Sequence, residues 1–359
     1  MINVTKTFLP PLEEYTKYLE RVWENGWVTN NGELVQELEQ KLKQYLGVKH
    51  LLFCANGTIV LQMAIKALGL SGEIITTPFS YVATANAIAW EGCTPVFVDI
   101  EPQTFTLDPE KMEAAITPRT QAILATHVYG FPCKIEAIQA IAQKHGLKVI
   151  YDGAHAFGSR YRGKSLLAYG DISTCSFHAT KLFHTAEGGC VVTDDDGLFK
   201  KLELFRQFGH AGDDYFSIGI NAKNSELHAA MGLAVLPRVA GFIEERKHLI
   251  EAYGYELCGA PLRLFGVEAI SADWNHSYFP IIFKSAGELS KAKGALQANG
   301  IFPRRYFFPS LHNLPFLDWG ANCPHSGEIS NRVLCLPLFN GMDPKLIVLV
   351  SSIIKGALA

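Results

Sequence analysis

The sequence predicts an α/β protein in which helices cover both faces of a mostly parallel central sheet, followed by a smaller α+β domain. Up to about residue 236, short apolar segments typical of strands alternate with amphipathic segments typical of helices. From Leu236-Pro237 onward this alternation stops and a long helical pattern follows. We therefore expect a large domain over residues 1–236, with an N-terminal helical arm, and a small C-terminal domain over residues 237–359.

The elements of the large domain follow from the spacing of apolar residues. Apolar side chains recur at helical spacing from Leu34 to Tyr45, and Gly47 is a typical residue at which a helix ends. Parallel neighbouring strands need a long crossover, usually a helix, so strands that alternate with helices predict a parallel sheet. In chain order the strand-like segments and the helix-like segments after them are HLLFC and VLQMAIKALG, EIITTP and YVATANAIAW, TPVFVDI and PEKMEAAI, and TQAILATHV and IEAIQAIAQKHG; LKVIYD, DISTCSF and GGCVVTDD are further strands.

The small domain is predicted from a helix over Gly241 to Leu257, the strand-like segment SYFPIIF and a helix from Ala286 to Asn299. The most apolar stretch, Leu346 to Ile354, is too short to cross a bilayer and predicts a buried helix. The first residues, MINVTKTFLPPLEE, lack the apolar core of a signal peptide. These patterns predict a soluble protein without a membrane partner.

Charge and cysteine usage exclude several classes of function. The 359 residues carry a formal net charge of -3, with no basic stripe of the kind that nucleic-acid binding needs. The eight cysteines are scattered and form no Cys-x-x-Cys pair, which disfavours a metal site. Free cysteines in apolar segments behave as small hydrophobic residues, so we expect a reducing cytoplasm.

Candidate ligand-binding residues lie where the predicted strands end, because open parallel sheets bind ligands at the carboxyl ends of their strands. After HLLFC come Asn56, Gly57 and Thr58, at the start of a helix. Glycine lets the backbone approach a ligand closely, and the first N–H groups of a helix favour an anion such as phosphate. A plain strand-to-helix turn capped by Thr58 is the alternative.

Two more candidates follow later strands. Asp152 ends LKVIYD, where it is a helix cap, a turn residue or a carboxylate directed into a cleft. Lys181 follows DISTCSF, with Ser176 and His178 just before it. Burying an ammonium between apolar strands is costly unless the group has a use.

Together these residues predict a site for pyridoxal phosphate. The aldehyde of this cofactor condenses with a lysine amine, for which Lys181 is the candidate. A carboxylate such as Asp152 favours the protonated form of the ring nitrogen, and that charge is what draws electrons from the substrate. The helix start at Gly57 supplies donors for the phosphate.

The sequence resembles the DegT/DnrJ/EryC1/StrS family of sugar aminotransferases, which have the fold type I architecture of aspartate aminotransferase. The resemblance runs nearly end to end. The lysine segment SFHATK with EGG after it is its most specific part. The other matching segments are ENGWVTNNG, NGT, PFSYVATANAIAWEGCTPVFVDI, THVYGFP, YDGAHAFG, GINAKNSELHAAMG and LPLFNGM.

The resemblance implies a role for each matching residue. Lys181 matches the Schiff-base lysine and Asp152 the partner of the pyridine nitrogen. A homodimer with two shared active sites is also implied, because one matching asparagine reaches the phosphate from the neighbouring subunit. The further cofactor contacts are His155 beside the ring, Tyr81 stacked on it, Gly57, Thr58 and Ser176 at the phosphate, and Asn221 as that asparagine; His178 is a second candidate near the cofactor.

Other assignments have bland alternatives beside them. Tyr81 is alternatively an ordinary core aromatic, and for His184 we expect a purely structural role. Arg305 and Tyr306 lie where the family contacts the nucleotide-sugar, but a polar loop clamped by aromatic rings would look the same. Lys223, a further candidate for substrate binding, stands where many relatives have arginine, which matters if that residue forks onto an anion.

The resemblance also implies the reaction. We expect an aminotransferase that moves an amino group from glutamate to a nucleotide-linked keto-deoxysugar, at C4 of a dTDP-4-keto-6-deoxyhexose. Relatives that act at C4 tend to carry SFHATK followed by EGG, whereas those acting at C3 more often carry Tyr-Pro-Gly before the lysine. Amination at C3 and a cofactor-binding regulatory protein without turnover are the alternatives; a dehydratase is disfavoured, since that branch typically has histidine at the lysine position.

Overall fold

A computed structural model describes residues 1–265, 272–317 and 320–359. The helices of these residues are α1 (Leu12–Asn25), α2 (Glu33–Leu46), α3 (Gly57–Ala67), α4 (Val82–Trp90), α5 (Pro109–Ala114), α6 (Ile135–His145), α7 (Asp196–Arg206), α8 (Glu226–Val235), α9 (Val239–Glu256), α10 (Ala286–Ala298), α11 (Pro324–Arg332) and α12 (Pro344–Leu358). The strands are β1 (Ile2–Asn3), β2 (His50–Cys54), β3 (Glu73–Thr76), β4 (Thr94–Phe97), β5 (Thr120–Thr126), β6 (Lys148–Asp152), β7 (Arg160–Tyr161), β8 (Lys164–Ser165), β9 (Ile172–Ser176), β10 (Gly189–Thr193), β11 (His210–Ala211), β12 (Asp214–Tyr215), β13 (Arg263–Leu264), β14 (Ala272–Asp273), β15 (Phe279–Ile282), β16 (Ile301–Phe302) and β17 (Val333–Leu336).

The central sheet has seven strands in the order β2-β10-β9-β6-β5-β3-β4. Strand β10 runs antiparallel to both of its neighbours, and the other neighbouring pairs are parallel. The reversal follows from the connection: β9 and β10 are joined by a loop without a helical crossover, and such a connection suits antiparallel strands. The predicted mostly parallel sheet is confirmed, and the β9–β10 loop is the segment that carries Lys181.

Helices cover both faces of this sheet, as strand β2 illustrates. Leu51 and Phe53 belong to a buried apolar cluster that includes Leu38 of α2. Leu52 belongs to a different cluster, which includes Ala64 of α3. Because successive side chains of a strand point to opposite faces, a strand buried on both faces is apolar throughout. This explains why HLLFC lacks the alternation of a half-exposed strand.

The C-terminal part of the chain builds a second layer of helices and antiparallel strands. Strand β15 pairs with β13 and β17, and α9, α10 and α12 share one buried apolar cluster with them. Strand β1, at the N-terminus, pairs in parallel with β16. The prediction that places all of residues 1–236 in the large domain is therefore wrong for β1, because its hydrogen bonds join it to the C-terminal part.

One helical stretch of the described residues, Glu226–Glu256, is long and apolar enough to cross a membrane. Half of its most apolar window is buried inside the protein. Pro237 lies in a short turn of 3-10 helix between α8 and α9, within this stretch. Core helices pass the same length and composition test, so this is weak evidence for a membrane span.

Candidate active site

A cavity of about 1170 Å³ lies at the carboxyl ends of the central strands. The ends of β6 and β9 and the start of α3 line one side of it. The structure brings most of the predicted site residues together there, although they are far apart in the sequence. Those that line the cavity are Gly57, Thr58, Tyr81, Asp152, His155, Ser176, His178, Lys181 and Tyr306.

The start of α3 forms one wall of the cavity. Asn56 caps this helix, since its Oδ1 accepts the backbone N–H groups of Thr58 at 3.0 Å and Ile59 at 2.9 Å. The sequence alternative with Thr58 as the cap is therefore wrong. A Cβ atom on Gly57 would lie 2.8 Å from Cβ of Ser176, so only glycine lets the helix start approach that serine. The N–H of Gly57 and the hydroxyls of Thr58 and Ser176 thus meet at one helix N-terminus.

Asp152, the last residue of β6, is buried and is held by hydrogen bonds on both carboxylate oxygens. Its Oδ2 accepts the Thr84 hydroxyl at 2.7 Å, and its Oδ1 accepts the Ala154 N–H at 3.0 Å. Burial raises the pKa of Asp152, while these bonds and the charge of Lys181 lower it, and burial is the larger effect. A group that stabilises the ionised carboxylate, such as a cation in the cavity, would reverse this balance.

The Thr84 hydroxyl ends a buried chain of hydroxyl groups. Because Thr84 donates its proton to Asp152, Ser80 is the donor in the 2.7 Å bond between Ser80 and Thr84. Thr126, at the end of β5, donates in turn to Ser80 at 3.2 Å. All three hydroxyl residues are buried, so the chain is shielded from water. It fixes the position of the Asp152 carboxylate from behind.

Lys181 lies in the β9–β10 loop, where its backbone N–H donates to the His178 carbonyl at 2.8 Å. Burial lowers the pKa of its ammonium group, although nearby Tyr306 and Asp152 oppose this effect. A lowered pKa increases the fraction of neutral amine at physiological pH. Neutral amine is the form that attacks a carbonyl carbon, so the site favours a nucleophilic lysine.

His155 is a buried neutral ring next to Lys181. Its Nδ1 accepts the Tyr129 N–H at 3.3 Å, which leaves Nε2 as the protonated nitrogen. Burial, and then the positive charge of Lys181, hold the pKa of His155 well below its usual value. The ring also lies parallel to that of Phe307, with an interplanar angle of 7°. It therefore presents a flat, uncharged surface to the cavity.

The other aromatic candidates differ in their surroundings. Tyr81 precedes the first residue of α4 and is 60% exposed at the cavity, so it is not a core aromatic. His178 is exposed, and its Nδ1 lies 2.9 Å from the Thr180 hydroxyl. His184 is buried, with its Nε2 2.7 Å from the Phe8 carbonyl oxygen and its Nδ1 accepting from Ala186. This confirms the structural role expected for His184.

Asn221, Lys223 and Arg305 do not line the cavity. Asn221 is exposed at an isolated bridge to Gln207, beside the β11–β12 hairpin. The Lys223 ammonium lies 4.6 Å from the centre of the Phe208 ring.

Arg305 is directed away from the cavity. Its guanidinium donates to the Ser330 carbonyl at 2.9 Å and lies over the Phe308 ring. Its neighbour Arg304 lines the cavity instead. Successive side chains of extended backbone point to opposite sides, so only one of two adjacent arginines reaches a given surface. The position of Arg305 therefore corrects the expected substrate contact in favour of Arg304.

The sequence model of the DegT/DnrJ/EryC1/StrS aminotransferase family matches residues 12–355. The chain belongs to this family. A dTDP-4-amino-4,6-dideoxy-D-glucose transaminase of Shigella dysenteriae is 43% identical over 363 residues, which cover 99% of this chain and 98% of the relative. A GDP-perosamine synthase of Vibrio cholerae is 34% identical over 338 residues, which cover 91% of each protein. Both the predicted family and the enzyme class are thereby confirmed.

The fold of this aminotransferase matches solved structures of the family. The crystal structure of DesI in the presence of its TDP-sugar product aligns with a TM-score of 0.93 and 32% sequence identity. The alignment covers 99% of this chain and 93% of the DesI chain. The predicted fold type I architecture is confirmed by this agreement.

Several cavity residues of this aminotransferase escaped the sequence analysis. Thr84 lies three residues after Tyr81, close to the start of α4, and its spacing to Tyr81 was the one signal that pointed to it. The residues after β1 and the exposed side of α10 also line the cavity, since β1 joins the C-terminal part. No local pattern marks these residues. They are Asn3, Lys6, Lys293 and Gln297, together with Arg304.

Proposed function

We propose that this chain is a pyridoxal phosphate-dependent aminotransferase that transfers an amino group from glutamate to C4 of a dTDP-linked 4-keto-6-deoxyhexose. The observation that carries the proposal is the meeting of Lys181, Asp152 and the α3 N-terminus in one cavity. The named relatives, a dTDP-4-amino-4,6-dideoxy-D-glucose transaminase and a structure with a TDP-sugar product, support the substrate class.

The residues of the cavity fit the cofactor. Pyridoxal phosphate, when bound, supplies an aldehyde for amines and a ring that accepts electrons from the substrate. Gly57, Thr58 and Ser176 would bind its phosphate, because the close approach of Gly57 to Ser176 places these donors at a helix N-terminus. Asp152 would hold the proton on the ring nitrogen, since its carboxylate is buried and oriented by Thr84.

Three further residues complete the proposed machinery. Lys181 would hold the cofactor through Nζ and then move the substrate proton with the same atom. His155 would pack its neutral ring beside the cofactor, and exposed Tyr81 would stack on it. His178 and Tyr306 line the part of the cavity that remains for the sugar.

We further propose a homodimer in which Asn221 reaches the phosphate of the partner subunit and Lys223 lies near the partner's substrate. The position of Asn221 outside its own cavity supports this arrangement. So do the large apolar side chains exposed around it, which a second copy would cover. These are Phe208, Tyr215, Phe216, Ile218 and Ile220.

The remaining proposals concern location and domain boundary. The described structure leaves all eight cysteines as free thiols, which suits the reducing cytoplasm. We place the boundary between the two domains at about residue 236, where α8 passes through the turn at Pro237 into α9. Residues 1–3 are the exception, because β1 belongs with the C-terminal part.

The proposed function is tested by product analysis. Purified enzyme is incubated with glutamate and dTDP-4-keto-6-deoxyglucose, and the product is examined by NMR. We expect an amino group at C4 and formation of 2-oxoglutarate. An amino group at C3, or turnover only with a ketose that carries no nucleotide, would contradict the proposal. A regulatory protein without turnover would fail to convert its cofactor to the amine form with glutamate.

The shared site is tested by mixing inactive variants. Lys181→Ala chains lack the lysine of their own site, and Asn221→Ala chains lack the contact to the partner's site. Mixed dimers contain one site with both residues intact, so mixing should restore part of the activity. A fully active monomer in solution would exclude the shared site.

A further inference from the structure

The outer part of the cavity is lined by three cationic side chains, Lys6, Lys293 and Arg304, which we call the cationic wall. They come from separate parts of the chain. Lys6 follows β1, Lys293 lies on α10, and Arg304 follows β16. The parallel pairing of β1 with β16 carries the N-terminal segment to this place. The tertiary fold therefore assembles the wall.

The charges of the cationic wall lack carboxylate partners in the described residues. No hydrogen bond or ion pair there involves the Lys6 or Lys293 ammonium, and Arg304 is instead positioned with its guanidinium 5.5 Å from the centre of the Tyr306 ring. Other basic residues of this chain are paired: Arg206 contacts Glu39 at 2.6 Å, and Arg238 contacts Glu14 at 2.6 Å.

The carboxylates of the cavity belong to its other side. Asp152 is buried at the end of β6 and held by Thr84, and Glu187 lies in the β9–β10 loop near His178. Unpaired cations that share a cavity raise its positive potential and favour an anionic ligand. The cationic wall therefore suits a ligand with negative charge at some distance from Lys181.

We propose that Lys6, Lys293 and Arg304 bind the diphosphate of the nucleotide-linked substrate. This inference rests on the proposed function. The two named relatives use dTDP and GDP in their names, and the group common to both nucleotides is the diphosphate. Lysine and arginine are the usual phosphate ligands, and arginine adds a fork of parallel donors. Gln297 and Asn3, on the same side of the cavity, are further hydrogen-bond donors.

This position for the diphosphate has a consequence for catalysis. Binding energy from a part of the substrate that does not react orients the part that does. With the diphosphate held at the cationic wall, the sugar ring would lie between the wall and Lys181. The distance between the two sites would then decide which sugar carbon reaches the Nζ atom of Lys181.

The test is a binding measurement on the holoenzyme that needs no turnover. Calorimetry compares dTDP with thymidine, which lacks the diphosphate, for the wild type and for Lys293→Gln, Arg304→Gln and Lys6→Gln. Loss of one charge-assisted contact should weaken dTDP binding about tenfold and leave thymidine binding unchanged. Lys293→Arg keeps the charge and should retain dTDP binding. Lys291→Gln is the matched control, because Lys291 is exposed on the same helix but does not line the cavity.

The outcomes separate this inference from the proposed function. Equal affinities of the wild type for dTDP and thymidine, or dTDP binding by all three glutamine variants as tight as in Lys291→Gln, would overturn the inference. So would a raised KM for glutamate with unchanged dTDP binding, since the wall would then bind the amino donor. Wild-type enzyme that binds dTDP but aminates no nucleotide-linked ketosugar would instead contradict the proposed function.

Discussion

Replacing Thr84 by valine removes the hydroxyl that donates to Asp152 and retains most of the side-chain volume. In the structure this bond is 2.7 Å long and buried, and Oδ1 of the same carboxylate keeps its separate bond from the Ala154 N–H. The substitution thus takes away one of two hydrogen bonds that favour the ionised carboxylate. Burial already raises the pKa of Asp152, so the group is sensitive to such a loss.

The expected size of the effect follows from the charge of the acceptor. A hydrogen bond to a charged group contributes about 1.5–3 kcal/mol. Since one pKa unit corresponds to about 1.4 kcal/mol, Thr84→Val should raise the pKa of Asp152 by about one to two units. The carboxylate is then protonated at a higher pH than in the wild type, and a protonated carboxyl no longer supports the positive charge on the cofactor ring.

The assay is a titration of pyridoxal phosphate affinity against pH. In Thr84→Val, affinity should begin to fall, as pH decreases, about one to two pH units above the point seen in the wild type. Thr84→Ser is the control, because it keeps the hydroxyl and should behave like the wild type. Identical pH profiles for Thr84→Val and the wild type would refute the role of the hydroxyl chain in holding Asp152.

Further predictions concern the site and the stability of the fold. Reduction of the holoenzyme with borohydride should attach the cofactor to Lys181, as peptide mapping would show, and Lys181→Ala should lose at least about 10²–10⁴-fold in turnover; a label on another lysine would refute the assignment. Asp152→Asn should slow proton abstraction by about 10–100-fold with an unchanged circular dichroism spectrum, since an amide cannot balance the ring charge, and a near-normal rate would contradict this. Burial lowers the pKa of His127 to about 3. Its folded-state pKa lies below the unfolded value of about 6.5, so the neutral ring contributes stability above pH 6.5 that is lost as pH falls, at about 1.4 kcal/mol per pH unit; urea unfolding at pH 7.5 to 5 would detect it, and a free energy of unfolding that does not fall over this range would contradict it.

Much of the fold and the centre of the candidate site could be predicted from the sequence. The alternation of apolar strands with amphipathic helices is a local pattern, so it identified the sheet and most of its helices. Parallel strands end at the same edge of a sheet, and for that reason Asp152 and Lys181 were expected to share a site. Both line the cavity at that edge. Local periodicity and the rule for strand ends were sufficient for these residues.

Tertiary structure decided the features that depend on contacts between distant segments. The pairing of β1 with β16 and the hydrogen bond from Thr84 to Asp152 each join residues that no local pattern connects. The same holds for the choice of Arg304 over Arg305 at the cavity, because two adjacent arginines have the same composition and differ in the side of the backbone that they occupy. That side is set by the bridge of Arg304 to Cys335, a residue of β17 that folding brings alongside.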